Sequence, residues 1–581
     1  MKTNIFALAL AVAASTFATG CGDRFQEELP WMVGSQDQMD NNDEVGLGAK
    51  DITVLEKELR GAIPFMLNYS HEPTGTWAPH KYQYQRSNNV DNYAGYWTTS
   101  KGTFTFGGPM PSLYTPDNDY LGGPLDNQLF NNSKNAIYYA ETLGKPEWRA
   151  VALIIQAYLG HELVDFYGAL PFNDWRKMNR VPPLKWEAGA DIYAQIFTEL
   201  DEAIAILKER QPSASELEKI EDPNKTISDG DWVRWVKFAN SIKLRMAMNI
   251  VNVDPTTAQQ KAEEAVADEI GVLTDGDRDI SYVSKDGHSN CIYQISVGWD
   301  DVRLGASLEN ILKHFNNPLL NVWFDGYQYP IVEKNTGITA EKDIYGIRPG
   351  IAMINTTNKQ NNYGPFGIVH ENYRMADQPF IKFAEVIFLR AEGALRGWAM
   401  GGNAQELYEK GVRLMFEENQ KYTTETLDAE KYLAQEECEV VDYTDPLNYA
   451  HNIKGRVSIG VKWNDADDDE LKLEKIITQK YIANFPMSAE AWTTYRRTGY
   501  PRLFPVYLNP MKPDVDTELQ LRRMPIKVTT NNALEMAGLE QVLGGPQHGG
   551  TRVFWDNSDT WTRGEDIENS GFPVVVAPNN F

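Results

Sequence analysis

The chain has 581 residues, with 81 acidic and 55 basic side chains, a formal net charge of −26 and 42% hydrophobic content. A globular chain of this size buries a large core, and its acidic surface disfavours nucleic acid and anionic lipid as partners. After Cys21 the only cysteines are Cys291 and Cys438 and no Cys-x-x-Cys pair exists, which excludes zinc ribbons and thioredoxin-type redox chemistry and leaves either one disulfide or two free thiols.

Lys2 precedes a short apolar run, Ile5–Ala14, followed by small residues up to Gly20 and then Cys21. An apolar run this short reads as a signal-peptide core and cannot span the roughly 30 Å of a bilayer. Ala18-Thr19-Gly20-Cys21 resembles a lipobox, in which the cysteine thiol takes diacylglycerol and becomes the N-terminus after cleavage; Ala18 stands where leucine is commoner. The alternative is an ordinary secretory signal with a chance cysteine. Residues 1–20 are expected to be a lipoprotein signal peptide, Cys21 the lipid anchor, and residues 21–50, polar, acidic and glycine-containing, a flexible tether. Loss of residues 1–20 removes one lysine and no acid.

From Asp51 the pattern turns helical: Ile52, Leu55, Leu59, Ile63 and Leu67 recur at three- and four-residue steps. Residues 71–125 break it with Gly, Pro, Asn and many aromatic residues, and so long a loop region is often functional. Helical periodicity returns over Ser133–Thr142, Glu147–Tyr167, Ala190–Arg210, Asp231–Val251 and, more weakly, Thr256–Ile270. Residues 271–378 are again loop-rich and aromatic. Helices are expected over Pro379–Gly397, Ala404–Glu418 and Asp469–Asn484, the last continuing to Arg497, and the tail from Gly499 should hold few long helices. Helix pairs of this size joined by short loops suggest stacked hairpins in the manner of TPR units, without a regular 34-residue repeat. The expected class is mainly α, with residues 51–581 as one large domain.

Several stretches at this point resemble the SusD/RagB family of nutrient-uptake lipoproteins. Asp165-Phe166-Tyr167-Gly168-Ala169-Leu170-Pro171 is similar to its turn after a long helix, and Trp235 to Arg245 to its W-x-K-F-A-N-S-L-x-L-R helix. Ala384 to Glu392 is similar to its A-E-x-x-L-x-x-A-E helix. Ile476 to Tyr481, Glu490-Ala491-Trp492 and Arg496 to Pro501 resemble its I-x-x-Q-K-Y … E-x-W-x-x-x-R-R-x-G-x-P block. Arg523-Met524-Pro525 and Val553-Phe554-Trp555-Asp556 follow. The resemblance covers the mature chain and implies a SusD-like fold of TPR-like helical hairpins with long aromatic-rich loops and few short strands. It further implies a non-catalytic cell-surface lipoprotein of the outer membrane, without cofactor. Such a protein binds an oligosaccharide or peptide and delivers it to a SusC-type TonB-dependent transporter.

The motifs also have structural work to do. Arg245, Glu385, Glu392 and Arg497 sit in otherwise apolar helices, where a charge is costly unless paired, so ion pairs between helices are expected. Trp492 reads as core, and Tyr167-Gly168 with Pro171 as a helix stop and turn.

Catalytic and metal signatures are incomplete. His161-Glu162-Leu163-Val164-Asp165 has Asp where a zincin needs its second His. Gly305-Ala306-Ser307-Leu308-Glu309 lacks the second glycine of a nucleophile elbow, and no phosphate-binding loop exists. Asp275-Gly276-Asp277-Arg278-Asp279, and Asp465, Asp467 and Asp469, lack the glycine and glutamate of a calcium loop. No metal site is expected.

A sugar or peptide offers apolar faces for aromatic rings and polar edges for Asn, Asp and Arg. The two aromatic loop regions supply the ligand-binding candidates: Trp77, Tyr82, Asn92, Tyr96 and Trp97 from the first, and Trp299, Arg303 and Trp323 from the second. Each ring has the competing role of ordering its own loop. Two other functional classes compete with nutrient capture: a surface-anchored glycosidase or peptidase, and a protein-binding lipoprotein with TPR-like hairpins.

Overall fold

Asp51 caps the first helix by accepting from the Thr53 amide at 2.9 Å, which satisfies one of the otherwise unpaired N–H groups of the first turn. Helix α1 (Ile52–Ala62) then buries Leu55, Leu59 and Ala62 along one face. The computed structural model describes residues 51–67, 79–102, 127–179, 181, 183–221, 227–282, 290–326, 331–332, 339–340, 343–351, 363–526 and 536–581.

The same local chemistry sets the other helices. Pro146 and Pro255 occupy first-turn positions of α3 (Pro146–Tyr167) and α6 (Pro255–Ala267), where a missing N–H costs nothing. Between them run α4 (Gly189–Arg210) and α5 (Trp232–Asn249), and α2 (Asn131–Thr142) precedes α3. Asn403 caps α9 (Ala404–Asn419) and Asp468 caps α10 (Asp469–Ala483). Gly168, at φ 79°, ends α3 as the sequence indicates. The helices pack on their chain neighbours, α1 on α2, α2 on α3, α3 on α4, α4 on α5 and α5 on α6. The series then continues through α8 (Phe383–Leu395), which packs on α5, α9 and α10. This is the stacked-hairpin arrangement expected from the periodicity, and one hydrophobic core runs from Leu55 to Trp555. Strands among the described residues form only two-stranded antiparallel pairs.

Three boundaries differ from the sequence reading. Gln378–Ile381 opens no helix; it is a strand, β4, paired with β2 (Ile280–Tyr282), and α8 starts only at Phe383. The helix expected to run on from Asp469 to Arg497 is broken at Asn484-Phe485-Pro486-Met487, and α11 (Ser488–Thr498) starts afresh. Pro486 lacks the N–H that a continuous helix needs. The loop-rich region 271–378 contains α7 (Ala306–His314), buried on most of its faces. No disulfide joins Cys291 to Cys438.

The charged residues of the motif helices pair as expected. Arg245 on α5 grips Glu385 on α8 with two bonds, Nε–Oε1 at 2.7 Å and Nη2–Oε2 at 2.8 Å. Arg497 on α11 holds Glu392 on α8 through two bonds of 2.7 Å. All four side chains are at most 3% exposed. Trp492 is fully buried under the Arg496 guanidinium, 3.5 Å from its ring centre.

Candidate functional site

The two aromatic regions meet through a short antiparallel pair. Strand β1 (Trp97–Thr99) pairs with β3 (Val302–Leu304), setting Trp97 opposite Leu304 and Thr98 opposite Arg303. The pairing extends at both ends, through Ser100 N to Asp301 O at 3.0 Å and Gly305 N to Tyr96 O at 2.9 Å. Lys101 donates to the Trp299 carbonyl at 2.7 Å and pairs with Asp301 at 2.6 Å, and Gln83 donates to the other Asp301 oxygen at 2.7 Å. The segment that presents Trp299, which is itself half-buried, is therefore tied to the first region by an ion pair and four hydrogen bonds.

Six of the eight residues singled out in the sequence are buried, each held by protein. Tyr96 donates to the Tyr481 carbonyl, and its ring lies 5.4 Å from Phe485. Trp97 packs on Phe485 at 5.4 Å and edge-on to Phe324 at 5.6 Å. Trp323 stacks on Phe485 at 4.4 Å and donates Nε1 to Asn419 at 2.7 Å. Phe485 is thus the hub around which three of the candidates assemble. Asn92 donates to the Ser87 carbonyl at 2.6 Å. Tyr82 is buried beside Asp91, its hydroxyl pushed well above its ordinary range, first by burial. Arg303 spends its donors on the carbonyls of Gly364, Ser296 and Val302 and on Asp300. Only Trp299 keeps partial access to solvent; Trp77 lies outside the described residues.

On the far side of Phe485 and Pro486 lies a cleft of about 640 Å³ that the sequence reading did not anticipate. Tyr373 and Tyr422, with ring centres 5.3 Å apart, form one wall, and Phe383 adds to it. Lys382 sits inside, 3.0 Å from Glu418 and donating to the Ala483 carbonyl at 2.6 Å. Burial, reinforced by Asp279, pushes the Glu418 carboxyl up to about 7 against the pull of Lys382. The acidic segment that failed as a calcium loop forms part of the rim, and its carboxylates are spoken for. Asp275 pairs with Lys410 at 2.6 Å, Asp277 with Lys237 at 2.7 Å, and Asp279 accepts from the Phe383 amide at 2.9 Å. No group of three or more His, Cys, Asp or Glu side chains among the described residues is arranged to hold a metal.

The zincin-like segment is likewise structural. His161 Nδ1 lies 3.0 Å from the Ala157 carbonyl, and burial lowers its pKa to about 3. Glu162 pairs with Arg86 at 2.5 Å. Asp165 accepts from Tyr193 at 2.5 Å and from the Trp555 indole at 2.8 Å.

The helical hairpins carry a polar, aromatic-walled cleft and bring two distant loop regions together in one antiparallel pair. A model of the SusD-like family, described as Susd and RagB outer membrane lipoprotein, matches residues 40–556, and the chain belongs to that family. It is similar to a chitin-binding SusD homologue from Flavobacterium johnsoniae, at 31% identity over 86% of this chain and 98% of that one, with a TM-score of 0.69. A SusD homologue from Bacteroides thetaiotaomicron is 28% identical over 86% of this chain and 98% of its own, at a TM-score of 0.72. One from Bacteroides ovatus is 28% identical over 86% and 99%, at 0.71. No curated protein sequence matches.

Proposed function

We propose that the protein is a non-catalytic lipoprotein of the outer-membrane surface, anchored at Cys21 through the tether of residues 21–50. In this reading residues 51–581 form one body that captures an oligosaccharide and passes it to a SusC-type TonB-dependent transporter. The observation that carries the reading is the 31% identity, over 98% of its length, to a homologue that binds chitin. The half-buried Trp299, on its braced segment, is assigned to stack on a sugar face. Tyr82, Asn92, Tyr96, Trp97, Arg303 and Trp323 are assigned to position that platform. Trp77, in the first aromatic region, keeps its assignment as a contact.

Stacking of a ring on a sugar contributes about 0.5–1.5 kcal/mol beyond the apolar area it covers, and the covered area adds about 25 cal/mol per Å². Titration of the purified mature chain with chitooligosaccharides and other neutral oligosaccharides, followed by calorimetry, tests the proposal. Saturable binding of at least one glycan is expected, with Trp299→Ala weakening it at least tenfold. Release of shorter sugars from the ligand during the titration would instead make the protein a hydrolase.

A further inference from the structure

Many buried arginines in this fold are paired with carboxylates, although Arg496 and Arg523 donate to backbone carbonyls instead. Arg86, Arg245, Arg497 and Arg522 each meet a carboxylate within 2.7 Å. Arg348 is an exception: it is 5% exposed, yet no carboxylate among the described residues comes within 4.0 Å of its guanidinium. Its Nη1 donates to the carbonyls of His451 and Asn452 at 3.1 and 3.2 Å, its buried Nε has no acceptor, and its Nη2 makes no hydrogen bond within the described residues. An unpaired charge costs free energy at such a position unless something else occupies its donors.

Arg348 lines a pocket of about 480 Å³. The Tyr507 ring lies 5.4 Å from its Cζ, held edge-on by His451 at 4.8 Å, and keeps 36% exposure. Leu508 beside it is 56% exposed. Lys512, a second cation of the lining, reaches the Ser570 carbonyl, and Glu568 lines the same pocket without reaching ion-pair distance of Arg348. The pocket adjoins the platform through the backbone. Ile347, the preceding residue, donates to the Leu304 carbonyl of β3 at 2.8 Å and accepts from Thr98 of β1 at 3.2 Å.

We propose that this pocket is a subsite for a carboxylate-bearing sugar, a uronic acid unit of an acidic oligosaccharide. The open Nη2 of the Arg348 guanidinium donates to the carboxylate, and the exposed Tyr507 ring takes the sugar face. The chain's net charge of −26 does not forbid this, since at physiological ionic strength exposed charges are screened beyond about 8 Å. The assignment rests on the glycan-capture reading above.

The test is calorimetry on the mature chain with a hexuronate oligosaccharide, the same oligosaccharide with its carboxylates reduced to alcohols, and an acidic peptide. The wild type is expected to bind the uronate at least tenfold more tightly than the reduced sugar. Arg348→Met is expected to abolish that preference while binding of the reduced sugar stays within twofold. Tyr507→Ala, at the exposed rim, is expected to weaken both sugars with the thermal midpoint unchanged, which guards against reading a folding defect of the arginine variant as lost recognition. Equal binding of the acidic and reduced sugars overturns the subsite and leaves glycan capture standing. Arg348-dependent binding of the peptide alone, or of no sugar at all, overturns both.

Discussion

Arg245 and Glu385 are separated by 140 positions and joined by two short bonds in a site almost without water. Desolvating both groups costs several kcal/mol, so the pair adds little net stability, but removal of one partner strands the other. Arg245→Met should therefore destabilise by about 3–5 kcal/mol, whereas Arg245→Met with Glu385→Leu should recover most of the loss. Denaturant melts of the two single variants and the double variant read this directly; three equal losses would contradict it. Asp165 gives the pH dependence. Burial raises its carboxyl from 3.8 to about 7 in the fold, against bonds from Tyr193 and Trp555. The folded state then holds a proton that the unfolded chain releases, so this contribution is full below pH 3.8 and is lost as pH rises through about 7. The Asn249 carbonyl oxygen, buried without a donor, accepts a hydrogen bond from the protonated carboxyl once its amide turns. Asp165→Asn should flatten the fall in thermal midpoint between about pH 4 and 7; an unchanged slope would remove Asp165 as its source. Glu392 works in the opposite sense. Burial acts to raise it, but Arg497 and Arg396 outweigh that and hold it at about 2, so its contribution is present above pH 4.5 and fades only in strong acid.

Helix α9 approaches α8 closely because Gly411 has no side chain: a Cβ there would stand 2.7 Å from the Phe388 ring. Gly411→Ala gains about 1 kcal/mol of helix propensity but overpacks the contact, which costs about 1–3 kcal/mol, so a net loss of stability is expected in a thermal melt. At this scale the sequence was informative wherever the apolar period was clear, as in the helices that the structure shows capped by Asp51, Asn403 and Asp468. It misled at Gln378–Ile381, where a buried strand has the same continuous apolar run as a helix start. It also passed over α7, whose Ser307, Glu309 and Asn310 are buried polar residues that blur the apolar stripe. The ion pairs could be anticipated, because a charge in an apolar helix must find a partner. The orientation of loop aromatics could not, because neither Trp97 nor Trp299 lies in a periodic segment. Trp97 turned inward to Phe485, and Trp299 stayed at the edge. The cleft at Tyr373 and Tyr422 and the pocket at Arg348 are assembled from segments far apart in the chain, so neither leaves a local signal in the sequence.

At the scale of the whole molecule, the stacked helical hairpins carry the two distant loop regions proposed as the binding edge. The proposed lipid anchor at Cys21 belongs to this scale too. Cys21→Ala should leave the fold and glycan affinity intact and move the protein from the membrane to the soluble fraction; retention in the membrane after fractionation would assign the anchor elsewhere. The role proposed for the molecule is capture of a glycan without chemistry. Calorimetric titration of the mature chain with a panel of oligosaccharides, followed by analysis of the recovered sugar, tests it most directly. Saturable binding is expected, at least tenfold weaker in Trp299→Ala, with the ligand recovered intact; cleaved sugar, or no glycan bound at all, would contradict glycan capture.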